Sequence, residues 1–403
     1  MTSPDVAAPA DWSARADEAA RSVTRMFGQR LFFLPGTHIA AIERPSGRLK
    51  NLLRPWHYWW QAHYVDCLVD AGRRELARGA RFDGGNRPSA GQLASRLVTG
   101  IRLRNFLTVV NNYYDDMAWL ALSTLRLEKL AEATRRPGSR RHARIRKSLT
   151  LQFDSASTDD LGGGTFWSTK RDFKNTPATA PVALYYARTG NTAKAQALVD
   201  WLHAKLFDPA HGMYQDGLRI GSNGEVVLEA AIYTYNQGPV LGALLELGGQ
   251  PNLDRAAGLV DAVARHLTRP ATLASGRTAP VLRCDGTGDG GLFTGILTRY
   301  LALAATDGRL PDRTRAIAAA LVIDTAQALW EGRRAVDPAE PLARQGALLV
   351  FSVFPETPAS RAYPAGAAVE LSTQLQAWMV LEAAATVGDA PHDPAPRTNG
   401  RTN

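Results

Sequence analysis

Apolar residues recur every three or four positions through most of the chain. That spacing predicts twelve helices, over about 12–29, 57–79, 89–109, 116–134, 139–155, 178–189, 191–206, 230–248, 252–267, 289–306, 312–330 and 368–386. Several end at good stop signals, such as Gly190, Gly248-Gly249 and Asp307-Gly308. Many come as pairs joined by short turns: 181–188 with 193–206, 230–247 with 253–267, and 292–305 with 313–330. About six such hairpins fit an all-α (α/α)6 toroid, an inner ring of helices wrapped by an outer one, although no internal repeat is sharp enough to establish it. The pattern breaks at 212–234. There Met213–Ile220, the turn Gly221-Ser222-Asn223-Gly224 and Glu225–Leu228 read as an inserted β-hairpin. One domain is expected over 1–387, followed by a disordered tail over 388–403 that is rich in Pro, Asp, Asn, Arg and Thr.

The chain has 403 residues, 45% of them hydrophobic, enough to bury a large core. No apolar run approaches the ~18 residues needed to span a bilayer, so no stable membrane insertion is expected. Residues 1–30 show no basic start followed by an apolar stretch, and acids are spread through them, so a cytoplasmic location is expected. Cys67 and Cys284 lack metal or redox spacing and fit a reducing compartment. The formal net charge of +9 comes largely from scattered arginines, with one cluster from Arg135 and Arg136 through Arg140, Arg141, Arg144 and Arg146 to Lys147. Such a cluster reads as a solvated face. With no recognised module beside it, nucleic acid is not an expected partner.

Chemistry concentrates in Asn111-Asn112-Tyr113-Tyr114-Asp115-Asp116-Met117-Ala118-Trp119-Leu120. Met117, Leu120, Ala121, Thr124 and Leu125 recur at helical spacing, which puts both aspartates in an opening turn. Free N–H groups there favour one anion, while mutual repulsion raises the other pKa. The two carboxyl groups can sit roughly 5–6 Å apart, overlapping the ~5–5.5 Å of retaining glycosidases. Read alone, Asp-Asp more often means an N-cap with an acidic neighbour. An Asp-Asp-x-x-Asp metal motif is excluded because Trp119 holds the third carboxylate's place.

Other polar loops also precede helices. Aromatics crowd Pro55–Tyr64, including Trp59, where Gln61 and His63 interleave. Asp159–Trp167 holds three glycines without P-loop spacing, so a tight turn presenting Trp167 is expected, with Lys174-Asn175 after it. Tyr235, Asn236 and Gln237 bring groups that hydrogen-bond sugar hydroxyls. Arg283–Gly291, with Asp285 and Asp289, lacks the terminal Glu of an EF-hand loop. No metal or cofactor is implied.

In order, Asn-x-Tyr-Tyr-Asp115-Asp116-Met-Ala-Trp-Leu, Gly163-Gly164-x-x-Trp167 with Lys174-Asn175, Thr234-Tyr235-Asn236-Gln237-Gly238 and Asp289-Gly-x-Leu-Phe293-x-Gly295-Ile extend over roughly 55–385. Together they resemble glycoside hydrolase family 76, the endo-α-1,6-mannanases. The resemblance implies an (α/α)6 barrel and retaining cleavage of α-1,6-linked mannose. It implies Asp115 as nucleophile and Asp116 as acid/base. Trp59, Tyr113, Trp167, Lys174, Asn175, Asp216, Tyr235, Asn236, Gln237, Asp285 and Asp289 are then groove residues toward a mannose-containing oligosaccharide or glycolipid. Two departures stand out: Thr179 replaces a second asparagine common in the family, and no export signal is seen. The same site also admits mannosyl transfer to another sugar, or a catalytically dead carbohydrate-binding protein.

Overall fold

The structure, a computed structural model, describes residues 11–46, 56–135 and 139–388, without the side chains of residues 139, 140 and 345. Of the expected tail over 388–403, Gly388 ends the last helix and residues 389–403 lie outside the described residues, as do Pro55 of the aromatic segment, Arg136 and the side chain of Arg140.

Twelve helices longer than two turns carry the described chain: α1 Trp12–Phe27, α2 Tyr58–Arg78, α3 Ala90–Arg104, α4 Tyr114–Ala133, α5 Ser139–Ala156 and α6 Thr176–Arg188. They continue with α7 Thr192–Leu206, α8 Thr234–Leu247, α9 Gln250–His266, α10 Gly290–Thr306, α11 Asp312–Glu331 and α12 Leu371–Gly388. Packing alternates along the sequence. Helix α2 packs on α4, α4 on α6, α6 on α8, α8 on α10, α10 on α12, and α12 back on α2. The intervening helices lie against these six: α1 on α12, α3 on α2, α5 on α4, α7 on α6, α9 on α8 and α11 on α10.

Burial follows this order. Helix α12 is buried without a break from Leu371 to Ala385, and α8 over most of Thr234–Leu245, because both meet neighbours on all sides. Helix α9 buries one stripe, Leu253, Ala256, Leu259, Val260 and Val263. Close packing of α8 on α10 needs glycine: a Cβ at Gly242 would lie 2.6 Å from the Tyr300 ring. In the second halves of these helices, Arg126 pairs with Asp66 and Asp70, Arg299 reaches the same two acids at 2.7 and 2.9 Å, and Arg74 reaches Glu382 at 3.0 Å.

The expected hairpin is present but shifted. Strand β2, Gly217–Ile220, pairs antiparallel with β3, Val226–Glu229, and β1, Phe173–Asn175, adds on the other side of β2. Met213–Tyr214 pairs instead with Phe207–Asp208. A second ribbon, β4 Thr268–Thr272 with β5 Thr278–Leu282, lies where the sequence pattern predicted nothing. Pro270 and Pro280 face each other in it, and a two-stranded edge ribbon tolerates the N–H that each proline lacks. Helix α3 also ends five residues early, because Phe106 and Leu107 take positive φ angles of 53° and 65°.

Candidate active site

The N-terminal ends of α2, α4, α8 and α10 bring their loops to one place. Helix α4 begins where the Tyr114 N–H donates to the Trp167 carbonyl at 2.8 Å, so the glycine-rich loop is stitched to the aspartate pair. Both carboxyl groups are half-buried. Asp115 accepts from the Asp116 backbone N–H at 2.9 Å and from the Trp167 indole Nε1 at 3.0 Å. Asp116 accepts from the Asn111 amide at 2.7 Å. Burial raises Asp115 to about 7 against the pull of those two donors. Burial together with the neighbouring Asp115 charge pushes Asp116 well above the ordinary carboxylate range, while Asn111 only partly opposes it. The pair is therefore divided in kind: Asp115 is the better-stabilised anion, and Asp116 is the group that keeps its proton.

Around the pair, Asp289 accepts from the indoles of Trp59 at 3.2 Å and Trp60 at 2.9 Å, and its charge contributes to raising both carboxyls of the pair. Tyr235 stacks on Phe293 with ring centroids 3.8 Å apart. Burial, then the charges of Asp216, Asp115 and Asp289, push its phenol up, which puts it in the field of all three acids. Asp216 is raised to about 6 by burial and accepts from the Asn236 amide at 3.2 Å. Tyr113 is exposed, and its ring lies 4.9 Å from that of Trp167. Among the described residues, no group of three or more His, Cys, Asp and Glu is arranged to hold a metal ion.

The family model for glycosyl hydrolase family 76 matches residues 12–340. The chain belongs to that family. The protein is a glycoside hydrolase. Among solved structures it is similar to an α-1,6-mannanase of Salegentibacter sp. HEL1_6, at 27% identity and a TM-score of 0.74, covering 94% of this chain and 100% of that one. An inactive variant of that enzyme, with two consecutive aspartates changed to asparagine and α-1,6-mannotriose bound, matches at 26% identity, a TM-score of 0.74 and the same coverage. Dfg5 from Chaetomium thermophilum, in complex with glucosamine, shares the fold at 17% identity and a TM-score of 0.66, over 93% of this chain and 90% of that one. The comparison with curated proteins found no match.

Within this family 76 site, the sequence-based expectations divide. Asp115, Asp116, Trp59, Tyr113, Trp167, Asp216, Tyr235 and Asp289 come together as open or half-open groups. Asn236 is buried, with its amide on Asp216 and its carbonyl oxygen unpartnered. Three others are corrected to supports, and Asp285 stays half-buried with one carboxylate oxygen engaged in hydrogen bonds. Lys174 is fully buried, and its ammonium donates to the Thr158 carbonyl and hydroxyl and to the carbonyls of Asp160 and Gly163, at 2.7–3.0 Å. It locks the loop that carries Trp167 and cannot reach a sugar. Asn175 is a buried N-cap, accepting from the Ala178 N–H at 3.1 Å. Gln237 is buried with its amide on the Tyr214 backbone at both ends, 2.9 Å each. Asp285 holds the start of α8, accepting from the Thr234 hydroxyl at 2.6 Å. A polar side chain in a loop motif looks the same in sequence whether it faces a ligand or a backbone. Asn111, Trp60 and Phe293 were not singled out as site residues. Asn111 stood inside the aspartate motif, and its place five residues before Asp116 was the available signal.

Proposed function

We propose that this family 76 protein is a retaining endo-α-1,6-mannanase built as an (α/α)6 toroid, acting on mannose-containing glycans. The closed order of helix contacts supports the architecture. The unequal surroundings of the two adjacent carboxyls carry the chemistry. Asp115, whose anion two N–H donors favour, attacks the anomeric carbon of the mannosyl residue. Asp116, protonated at the same pH, gives its proton to the departing glycosidic oxygen. The result is a mannosyl ester on Asp115 and a free hydroxyl on the leaving sugar. Asp116, now an anion, takes a proton from water, whose oxygen attacks the anomeric carbon and releases Asp115. Trp167 holds the nucleophile in place, and Tyr113, Trp59 and the Tyr235–Phe293 stack offer ring faces to pyranose rings. The mannotriose bound by the similar Salegentibacter enzyme supports the substrate class.

The test is the pair Asp115→Asn and Asp116→Asn with α-1,6-mannotriose as substrate. Both variants are expected to lose turnover while circular dichroism stays native, and wild type is expected to release the α-anomer first in a fresh NMR time course. Near-normal turnover by either variant, or a β-anomer released first, would sink the assignment.

A further inference from the structure

Two loops fastened to the same helix expose apolar side chains near the site. The first leaves α1 and presents Phe32, Phe33 and Leu34, which are 52%, 74% and 46% exposed. The second follows α3 and presents Phe106 and Leu107, at 91% and 63%. The His38 N–H donates to the Arg96 carbonyl at 3.1 Å, and the His38 backbone lies against Gly100, where a Cβ would meet its carbonyl oxygen at 2.0 Å. Gly100 is one turn before the end of α3, and the Arg102 guanidinium holds the Leu107 carbonyl at 2.9 Å. Phe106 precedes Asn111, the partner of Asp116, by only five residues, a reach of at most ~18 Å. The patch and the aspartate pair therefore share one face.

Four of these five residues, Phe32, Phe33, Phe106 and Leu107, have positive φ. That conformation is unfavourable for an L side chain, and here it turns large apolar groups outward instead of hiding them. The three phenylalanines alone expose roughly 400 Å², as much as the largest apolar patch of a typical monomer. The segments that carry the patch are themselves basic. Residues 28–42 and 84–114 hold five arginines and no Asp or Glu, and the helix after them adds exposed Arg141, Arg144 and Lys147, while its Arg146 is paired with Glu128. Arg141 reaches across to the Thr99 hydroxyl at 3.0 Å, which brings this third segment against α3 beside the patch.

We propose that this patch is a docking surface for an anionic lipid bilayer, with Phe32, Phe33, Leu34, Phe106 and Leu107 entering the headgroup boundary and the neighbouring arginines pairing with lipid phosphates. Aromatic tips beside basic chain segments match the interfacial layer of such a membrane, where apolar and anionic groups lie at adjacent depths. A second protein copy would bring the same arginines against each other, so charge disfavours self-association through this face. Among the described residues no helix is long and apolar enough to cross a membrane; the attachment proposed here is peripheral. Docked this way, the site faces the lipid surface, where a membrane-anchored glycan would reach it; that consequence alone rests on the proposed function.

Vesicle flotation tests the surface without any turnover. Full-length protein is expected to float with vesicles of 30% phosphatidylglycerol in phosphatidylcholine, at least tenfold more than with phosphatidylcholine alone, and to be largely released by 0.5 M NaCl. Phe33→Ser/Phe106→Ser and, separately, Arg30→Glu/Arg141→Glu are each expected to lower that binding at least tenfold, with native circular dichroism and unchanged turnover of α-1,6-mannotriose. Wild type that fails to float with anionic vesicles overturns the proposal, as does binding unaffected in both variants. A concentration-dependent dimer in sedimentation velocity that Phe33→Ser/Phe106→Ser abolishes overturns it in favour of self-association. Absence of mannotriose turnover in wild type would count against the proposed function and leave the flotation result standing.

Discussion

Trp167→Phe isolates what one hydrogen bond does to the proposed nucleophile, Asp115. The indole Nε1 lies 3.0 Å from Asp115 Oδ2 and is one of two N–H donors on that carboxyl. Phenylalanine keeps most of the ring that packs 4.9 Å from Tyr113 and 6.2 Å from Phe173, and removes only the donor. A hydrogen bond to a charged group contributes about 1.5–3 kcal/mol, and 1.36 kcal/mol corresponds to one pKa unit, so losing it raises the carboxyl by roughly 1–2 units. Asp115 already stands at about 7 because burial outweighs its donors, and the variant moves it further up. The sign follows from its proposed role: with Asp115 attacking as an anion, the acidic limb of the kcat/KM profile moves to higher pH. Well below that limb, kcat/KM falls by roughly 10–100-fold, and the loss shrinks as pH rises. Asp116 must stay protonated, so the bell narrows from its acid side and its maximum drops. The limb belongs to the pair as a unit, and the shift is read on the whole profile. Measuring kcat/KM for α-1,6-mannotriose from pH 4 to 9, with circular dichroism as the control for folding, decides the matter. An acidic limb that does not move, or a loss equal at every pH, would refute the electrostatic role of Trp167.

The same raised carboxyls act on stability. Because folding lifts Asp115 and Asp116 above their unfolded values, the folded chain binds more protons between about pH 4 and 7, and stability falls as pH rises through that window. Asp115→Asn is therefore expected to raise Tm by a few degrees at pH 7.5, as ~1–2 kcal/mol does in a chain of this size, and to leave it unchanged at pH 4; an equal shift at both pH values, read by scanning calorimetry, contradicts this. Lys174→Met leaves four oxygens of the 158–163 loop without their shared donor, at about 2–4 kcal/mol, so Tm should fall by several degrees with turnover lowered alongside. Wild-type Tm would return Lys174 to the list of ligand-facing groups. Arg126→Met strips Asp66 and Asp70 of a buried partner and is expected to cost about 3–5 kcal/mol. A denaturant midpoint within error of wild type would show those acids to be solvated.

Much of this protein can be read from residue order alone. Helical periodicity located all twelve long helices because burial repeats every turn and leaves its mark in local composition. The aspartate pair was legible for the same reason: its opening-turn position and its neighbours, Asn111 through Leu120, lie in one continuous stretch. The limits were also local. Proline hid the β4–β5 ribbon, since only pairing across Pro270 and Pro280 makes it a strand pair, and positive φ ended α3 early without a glycine to announce it. What tertiary structure alone decided is which polar groups face the groove. Lys174 and Asp289 carry equally functional-looking motifs, yet one is buried under four oxygens of its own chain and the other stands open beneath two indoles. Long-range partners such as Trp167 for Asp115, 52 residues apart, set the division between the two carboxyls. A sequence fixes which groups exist and how they repeat, whereas their protonation depends on neighbours and solvent that only the closed fold brings to them.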